Sequence, residues 1–126
     1  MRILVVDDKR GLAHIIKMMV GHEGHQITFT RGVKDGYLTY LLFKPDVVIT
    51  DVRGEIGLEL VEIIRTYDPE VKLIYVCSDA AYWGPALVEE KTRDHVGLLQ
   101  NPFSKGELAT LLSFFEQRNL DIERLK

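Results

Sequence analysis

Short apolar runs alternate with helix-like segments along the whole of this 126-residue chain. The runs Ile3–Val6 and Val47–Thr50 contain only aliphatic or β-branched residues, which is typical of strands buried on both faces. In the intervening segment Leu12–Gly21, apolar residues recur at the spacing of a single helical stripe. Strict alternation of the two patterns predicts βαβ units, and therefore one parallel sheet covered by helices.

We predict five strands and five helices within a single domain, residues 1–120, followed by a tail or an extension of the last helix at residues 121–126. The strands are predicted at Arg2–Val6, Gln26–Thr30, Asp46–Thr50, Lys72–Val76 or Cys77, and Val96–Leu99. The helices are predicted at Leu12–Gly21, Val33–Phe43, Leu58–Tyr67, Pro85–Thr92 and Ser104–Asn119. Ser104 and Glu107 form a capping-box pattern at the start of the last helix.

The composition excludes several classes of function. The net charge is −3 and the acids and bases are interspersed, so the chain lacks the basic patch of a protein that binds nucleic acid or an anionic membrane. Its apolar stretches are far shorter than a membrane span, and no secretory signal opens the sequence. The single cysteine, Cys77, excludes an internal disulfide and suits a reducing compartment. We therefore expect a cytoplasmic protein that binds neither nucleic acid nor membrane.

Three acids follow directly on predicted strands. Asp7 and Asp8 come after the first strand, and Asp51 comes after the third. The carboxyl ends of parallel strands share one edge of the sheet, where α/β folds place their ligand sites, so these carboxylates are expected to converge. A cation would relieve their repulsion, and Mg²⁺ is the first candidate for a set of oxygen ligands. The alternative for Asp7 and Asp8 is a helix N-cap, a position that also favours aspartate.

Four short motifs occur in order along the predicted elements: Val5–Asp8, Pro45–Asp51, Gly57–Leu60 and Asn101–Phe103. By these motifs the chain resembles the receiver domain of bacterial two-component response regulators, of the single-domain chemotaxis type. They are similar, in turn, to the family's acid pair, its phospho-accepting strand end, the start of its third helix and its Lys-Pro-Phe turn. The resemblance implies a flavodoxin-like, doubly wound parallel sheet of strand order 2-1-3-4-5. It also implies helices 1 and 5 on one face and helices 2, 3 and 4 on the other.

The resemblance further implies a site and a reaction. Asp8 is expected to bind Mg²⁺ directly and Asp7 through water, and the backbone carbonyl of Arg53 completes the metal site. Asp51 is expected to be both a metal ligand and the nucleophile that accepts a phosphoryl group. The implied donor is a sensor histidine kinase or a histidine phosphotransfer protein in a phosphorelay. Such a receiver is itself phosphorylated and dephosphorylated, and it is not an enzyme that turns over a substrate.

The chain departs from the family pattern in three places. Asn101 stands where the family has a lysine that pairs with the phosphoryl group, and its neutral amide is expected to weaken that contact by about 1–2 kcal/mol. The hydroxyl residue after strand 4 corresponds either to Cys77 or, with a slip of one residue, to Ser78. The alternative for Cys77 is a small buried apolar residue. The loop that follows Asp51 is shorter than usual.

The sequence leaves two functions to compare. The first is a receiver that, once Asp51 is phosphorylated, signals to a downstream protein through the face of helix 4, strand 5 and helix 5. The second is a degenerate receiver that acts as a phosphorylation-independent docking module, which the departures at Asn101 and Cys77 favour and the retained acids oppose. A homodimer through the last helical face is one alternative for the oligomeric state. A nucleotide- or flavin-dependent enzyme is not supported, because no glycine-rich loop follows the first strand.

Overall fold

The structure, a computed structural model, describes residues 1–7, 11–51, 55–77, 90–93 and 95–125. For residues 55–57, 91 and 118–125 it describes the backbone alone. In the described residues, five parallel strands form one sheet that is covered by helices on both faces. The predicted α/β fold class is confirmed.

The strands and helices of the described residues follow the predicted alternation. The strands are β1 (Arg2–Val6), β2 (Gln26–Thr30), β3 (Val47–Asp51), β4 (Leu73–Cys77) and β5 (Val96–Gln100). The α-helices are α1 (Gly11–Val20), α2 (Val33–Phe43), α3 (Glu55–Tyr67) and α4 (Lys105–Leu125). A 3₁₀ turn, Glu90–Thr92, precedes β5.

The strand order is β2-β1-β3-β4-β5, and all neighbouring strands are parallel, as predicted. The register places Val6 of β1 beside Thr30 of β2 and Thr50 of β3. At the other side of the sheet, Cys77 pairs with Gln100. Because all strands run the same way, their carboxyl ends lie along one edge of the sheet, which we name the carboxyl rim.

Two apolar clusters cover the two faces of the sheet. The first, the α1–α4 cluster, includes Ile3, Val5, Ile16, Ile49, Leu108 and Phe115. The second, the α2–α3 cluster, includes Leu4, Val48, Leu60, Ile64 and Tyr75, with Tyr37 and Tyr40 of α2 packed against it. The first and last helices therefore share one face, and the second and third helices share the other, as predicted.

Helices α2 and α3 approach each other closely at Gly36. This glycine is buried, and a Cβ atom added to it would collide with Cδ2 of Leu60 and lie 3.2 Å from Cγ2 of Thr30. Leu60 is itself fully buried in the α2–α3 cluster, so its side chain has little room to move away. The absence of a side chain at Gly36 is therefore what allows α2 to pack at this distance.

Several element bounds differ from the predictions. Strand β3 begins at Val47 rather than Asp46, and the carboxylate of Asp46 accepts a hydrogen bond from the N–H of Arg2 at 2.7 Å. Helix α3 begins at Glu55, ahead of Gly57, which the sequence pattern placed before the helix. Helix α4 runs through Leu125, beyond the predicted end at residue 119.

Five helices were predicted, and four α-helices lie in the described residues. Most of the predicted fourth helix, Pro85–Thr92, falls in residues 78–89, which lie outside them. Its described end is the 3₁₀ turn. No helix within the described part of the chain is long and apolar enough to cross a membrane.

Candidate functional site

The carboxyl rim brings together four of the residues predicted for the site. Asp7 follows β1, Asp51 ends β3, Cys77 ends β4 and Asn101 follows β5. These four strands are consecutive neighbours in the sheet, so the four residues occupy one continuous stretch of the rim. The remaining predicted residues lie outside the described ones: Asp8, Arg53 and Ser78.

Asp7 and Asp51 lie on the same side of the sheet. By the register of β1 with β3, they stand at the same level on adjacent strands. Val5 and Ile49, two residues before them, both belong to the α1–α4 cluster, and side chains two residues apart on a strand point the same way. The two carboxylates therefore share the α1 side of the rim.

Two hydrogen bonds to backbone groups hold Asp7 in place. It is buried, with 8% of its surface exposed. Its Oδ2 accepts a hydrogen bond from the N–H of Leu12 at 2.8 Å, and its own N–H donates to the carbonyl of Thr30 at 3.1 Å. The first contact is the capping role weighed for this acid, because it satisfies a donor in the first turn of α1. It also fixes the orientation of the carboxylate at the rim.

The carboxylates of Asp7 and Asp51 are suitable ligands for a hard divalent cation. Asp7 and the half-buried Asp51 supply anionic oxygens from one side of the sheet, the ligand type that Mg²⁺ prefers. Within the described residues, no group of three His, Cys, Asp or Glu side chains could hold a metal ion. The other two predicted ligands, Asp8 and Arg53, belong to the stretches outside those residues. The described pair thus fits one part of a magnesium site.

Cys77 and Asn101 are joined through the backbone. The N–H of Asn101 donates to the carbonyl of Cys77 at 2.7 Å, which continues the β4–β5 ladder beyond its last strand pair. The Cys77 side chain is fully buried, and Tyr75, two residues earlier, packs in the α2–α3 cluster. Strand alternation therefore directs the thiol away from the side shared by Asp7 and Asp51. This burial fits the packing alternative, while the donor role of Cys77 stays a prediction.

A second polar cluster, which the sequence patterns did not indicate, ties α3, β4 and the turn before β5 together. Its centre is Glu90, which is 8% exposed. The carboxylate accepts hydrogen bonds from both terminal nitrogens of Arg65, with Nη2 to Oε2 at 2.8 Å, and from the hydroxyl of Tyr75 at 3.0 Å. It also forms an ion pair with Nε of Arg93 at 3.0 Å. We name these four residues the Glu90 cluster.

The Glu90 cluster shifts the ionisation of its members. Burial raises the pKa of Glu90, but the hydrogen bonds and charge of Arg65, together with Tyr75 and Arg93, outweigh it and leave that pKa below its ordinary value. Burial and then the Glu90 charge raise the pKa of Tyr75, which therefore stays a hydrogen-bond donor. Burial, followed by the charges of Arg65 and Arg93, lowers the pKa of His95. The carboxylate at the centre is thus ionised at neutral pH.

A doubly wound parallel sheet with two carboxylates on its carboxyl rim defines a class of α/β protein that binds its ligands at that rim. The family model described as the response regulator receiver domain matches residues 3–113 of this chain. Because this match spans most of the sequence, the protein belongs to the response regulator receiver domain family, as predicted. Comparison with curated protein sequences gives no match.

Solved structures share this fold at low sequence identity. A response regulator receiver domain protein from Clostridium thermocellum is 19% identical, with a TM-score of 0.76 over 94% of this chain and 97% of that one. A CheY-like receiver domain protein from Methanospirillum hungatei is 19% identical, with a TM-score of 0.75 over 95% and 97%. The chemotaxis protein CheY4 of Vibrio cholerae is 20% identical, with a TM-score of 0.74 over 89% and 95%. These likenesses show the shared fold.

Proposed function

We propose that this protein accepts a phosphoryl group on Asp51 from a histidine kinase or a histidine phosphotransfer protein, as one step of a phosphorelay. Receiver domains of this family interact with such donors and with output proteins. The observation that carries the proposal is the pair of carboxylates, Asp7 and Asp51, held at one level and on one side of adjacent strands. Two acids kept together at a rim serve a reaction that needs a cation there, and a purely structural role would not require both.

The reaction follows from the chemistry of the carboxylate. One oxygen of Asp51 forms a bond to phosphorus while the bond between phosphorus and the donor's histidine nitrogen breaks. The nitrogen keeps the electron pair and takes up a proton, and Asp51 becomes an acyl phosphate. Attack by water returns the carboxylate and releases inorganic phosphate, so the protein changes its own state and does not turn over a substrate.

The negative charges on both reactants oppose this transfer. Asp7, Asp8, Asp51 and the backbone carbonyl of Arg53 are the residues that would hold Mg²⁺. When bound, this ion neutralises charge on the phosphoryl oxygens. Asn101 would supply a neutral hydrogen-bond donor to the phosphoryl group, in the place of the family's charged lysine. Downstream signalling would then proceed through the face that contains β5 and α4.

Direct phosphorylation tests the proposal. The folded protein is incubated with Mg²⁺ and a small acyl phosphate or phosphoramidate, and its intact mass is measured. We expect the parent to gain one phosphoryl group and Asp51→Asn to gain none. Asp35→Asn, which removes an exposed carboxylate on α2, is the matched control and should be labelled like the parent. Absence of labelling in the folded parent would refute the proposal.

The second candidate is a phosphorylation-independent docking module. Two observations favour it: Asn101 lacks the charge that would sense a phosphoryl group, and the thiol of Cys77 is buried on the opposite side from Asp51. On this hypothesis Asp51→Asn leaves binding to the physiological partner unchanged, and the parent is not labelled. Labelling of the parent together with a changed partner affinity in Asp51→Asn would exclude it.

A further inference from the structure

Helix α2 is apolar on its outer face as well as on its inner face. Three leucines of this helix are exposed: Leu38, Leu41 and Leu42, the last of which is 82% exposed. Between Asp35 and Lys44 the helix carries no charged residue. A surface helix normally has charged or polar residues on the side away from the core, and exposed apolar patches of this kind mark interaction sites. We name these three leucines the α2 leucine face.

The α2 leucine face continues into a groove beside the sheet edge. A cavity of about 430 Å³ lies between α2 and β2, with Leu38 and Leu42 on one wall and Thr30 on the other. β2 is the last strand on its side of the sheet, and Gln26–Thr30 contains neither charge nor proline. Proteins commonly protect such an edge with lysine or proline. Arg31 and Asp35 also line the groove, one charge of each sign, so helix face and sheet edge form one partly apolar surface without a net charge.

The charges at the two ends of the α2 leucine face have opposite signs. Asp35 lies in the first turn of α2, and Lys44 caps its carboxyl end; both are exposed. If a second copy of the helix lies antiparallel across the first, the end of each helix that carries Asp35 lies level with the end of the other that carries Lys44. In the same arrangement Leu38 of each copy meets Leu41 of the other. The face is therefore complementary to itself under two-fold symmetry, as an isologous dimer interface requires, and the antiparallel helix dipoles also attract.

We propose that the α2 leucine face binds a second copy of this chain, with the two α2 helices antiparallel. The uncharged centre offers nothing to a strongly acidic or basic partner, whereas the ends match those of the same helix reversed. A two-fold dimer also brings the two β2 edges to the same side of the interface, where each copy helps to shield the other. The proposal uses no residue of the Asp51 site, so it stands or falls independently of phosphorylation.

Oligomeric state as a function of concentration tests this. Sedimentation velocity of the full chain should show a monomer–dimer equilibrium in the parent. Leu42→Glu places a charge within the apolar contact and should weaken dimerisation at least about tenfold. The control is Met18→Glu on α1, because Met18 is also highly exposed, at 67%, but lies on the other face of the sheet. Met18→Glu should dimerise like the parent.

A charge exchange tests the antiparallel arrangement. Asp35→Lys alone should weaken the dimer, and the double variant Asp35→Lys with Lys44→Asp should restore it. Circular dichroism and phosphoryl labelling of Leu42→Glu should match the parent, which separates this proposal from the Asp51 reaction. A parent that remains monomeric throughout would overturn the proposal. So would a dimer that Leu42→Glu leaves intact and that Phe114→Glu on α4, a half-exposed site of the predicted last helical face, dissociates.

Discussion

Asn101 is the residue that we predict to stand where the family has a lysine that pairs with the phosphoryl group. Its backbone N–H is bonded to the carbonyl of Cys77, so the residue after β5 is fixed at the rim whichever side chain it carries. Asn101→Lys would restore a positive charge there. Because a charge-assisted hydrogen bond is stronger than a neutral one by about 1–2 kcal/mol, we expect labelling of Asp51 to become roughly tenfold faster. Time courses of intact mass with a small phosphodonor measure this.

A lysine at the neighbouring position provides the control. Gln100→Lys adds the same charge at an exposed position at the end of β5. Strand alternation directs this side chain away from the side of Asn101, so only the general attraction of a phosphodonor can change. We expect less than a twofold effect there. Equal acceleration by both variants would show that Asn101→Lys acts through net charge and not through the phosphoryl group.

Cys77 gives a second prediction at the scale of the residue. Its side chain has no exposed surface, and buried thiols in apolar surroundings are inert. A thiol-specific reagent such as an aromatic disulfide should therefore react with the native protein far more slowly than with the protein in denaturant. Rapid stoichiometric reaction of the native protein would contradict the burial of Cys77 and would reopen its role as a donor at the site.

The positions of Asp7 and Asp51 at the carboxyl rim could be predicted from the sequence, because each acid lies at the end of a recognisable buried strand and the parallel fold brings strand ends together. Their roles in metal binding and phosphoryl transfer stay predictions. Glu90 could not, because its partners Arg65 and Tyr75 are 25 and 15 residues away and no local pattern connects them. From the sequence alone, an acid in a segment with a weak helical pattern is expected to be exposed to solvent.

Replacement of glycine by alanine is expected to have opposite effects on stability at two helical positions. Gly36→Ala should destabilise the protein by about 1–3 kcal/mol, because the new methyl group has to enter the space of the buried Leu60. Gly106→Ala on α4 should stabilise it by about 0.5–1 kcal/mol, since the nearest atom is 3.8 Å away and alanine is the better helix former. Urea unfolding of both variants measures the difference. Stabilisation by Gly36→Ala would contradict the close approach of α2 and α3.

β1, β2 and α2 have the predicted bounds, and the bounds of the other three strands differ from the predictions by one residue at one or both ends. A continuous or alternating apolar pattern over about five residues leaves little freedom in where a strand starts. The start of α3 was misplaced because Gly57 was read as a boundary, whereas a helix tolerates a glycine in its first turn. The sequence left residues 121–126 as a tail or an extension of the last helix, because this charged segment contains neither a stop signal nor an apolar stripe strong enough to decide; in the described residues the helix extends through Leu125.

At the scale of the whole molecule, the Glu90 cluster links elements that lie far apart in sequence. Glu90→Gln leaves Arg65 without its buried counter-charge and should lower the free energy of unfolding by about 3 kcal/mol. Glu62→Gln, at an exposed position of α3, should change it by less than about 0.5 kcal/mol. Urea denaturation at neutral pH tests both. Equal stability of the two variants would show that the cluster contributes no net stabilisation.

The same cluster makes stability depend on pH in a defined direction. The pKa of Glu90 is lower in the folded state than its ordinary value. The stability that the ionised Glu90 contributes is therefore fully present above that ordinary pKa, and it is lost as the pH falls through the folded-state pKa. The lowered pKa of His95 acts in the same direction, since the folded state disfavours its charged form. The difference in unfolding free energy between the parent and Glu90→Gln should accordingly narrow on acidification, and a constant difference would contradict this.

The position of Asp51 on the α1 side of the sheet, opposite the Glu90 cluster and the α2 leucine face, has a consequence for how this molecule tolerates change. The five-stranded sheet separates the two apolar clusters, so residues on its two sides share few neighbours. Their effects should combine additively. Substitutions on the α2 side of the sheet can then change assembly and stability while the surroundings of Asp51 on the α1 side stay the same.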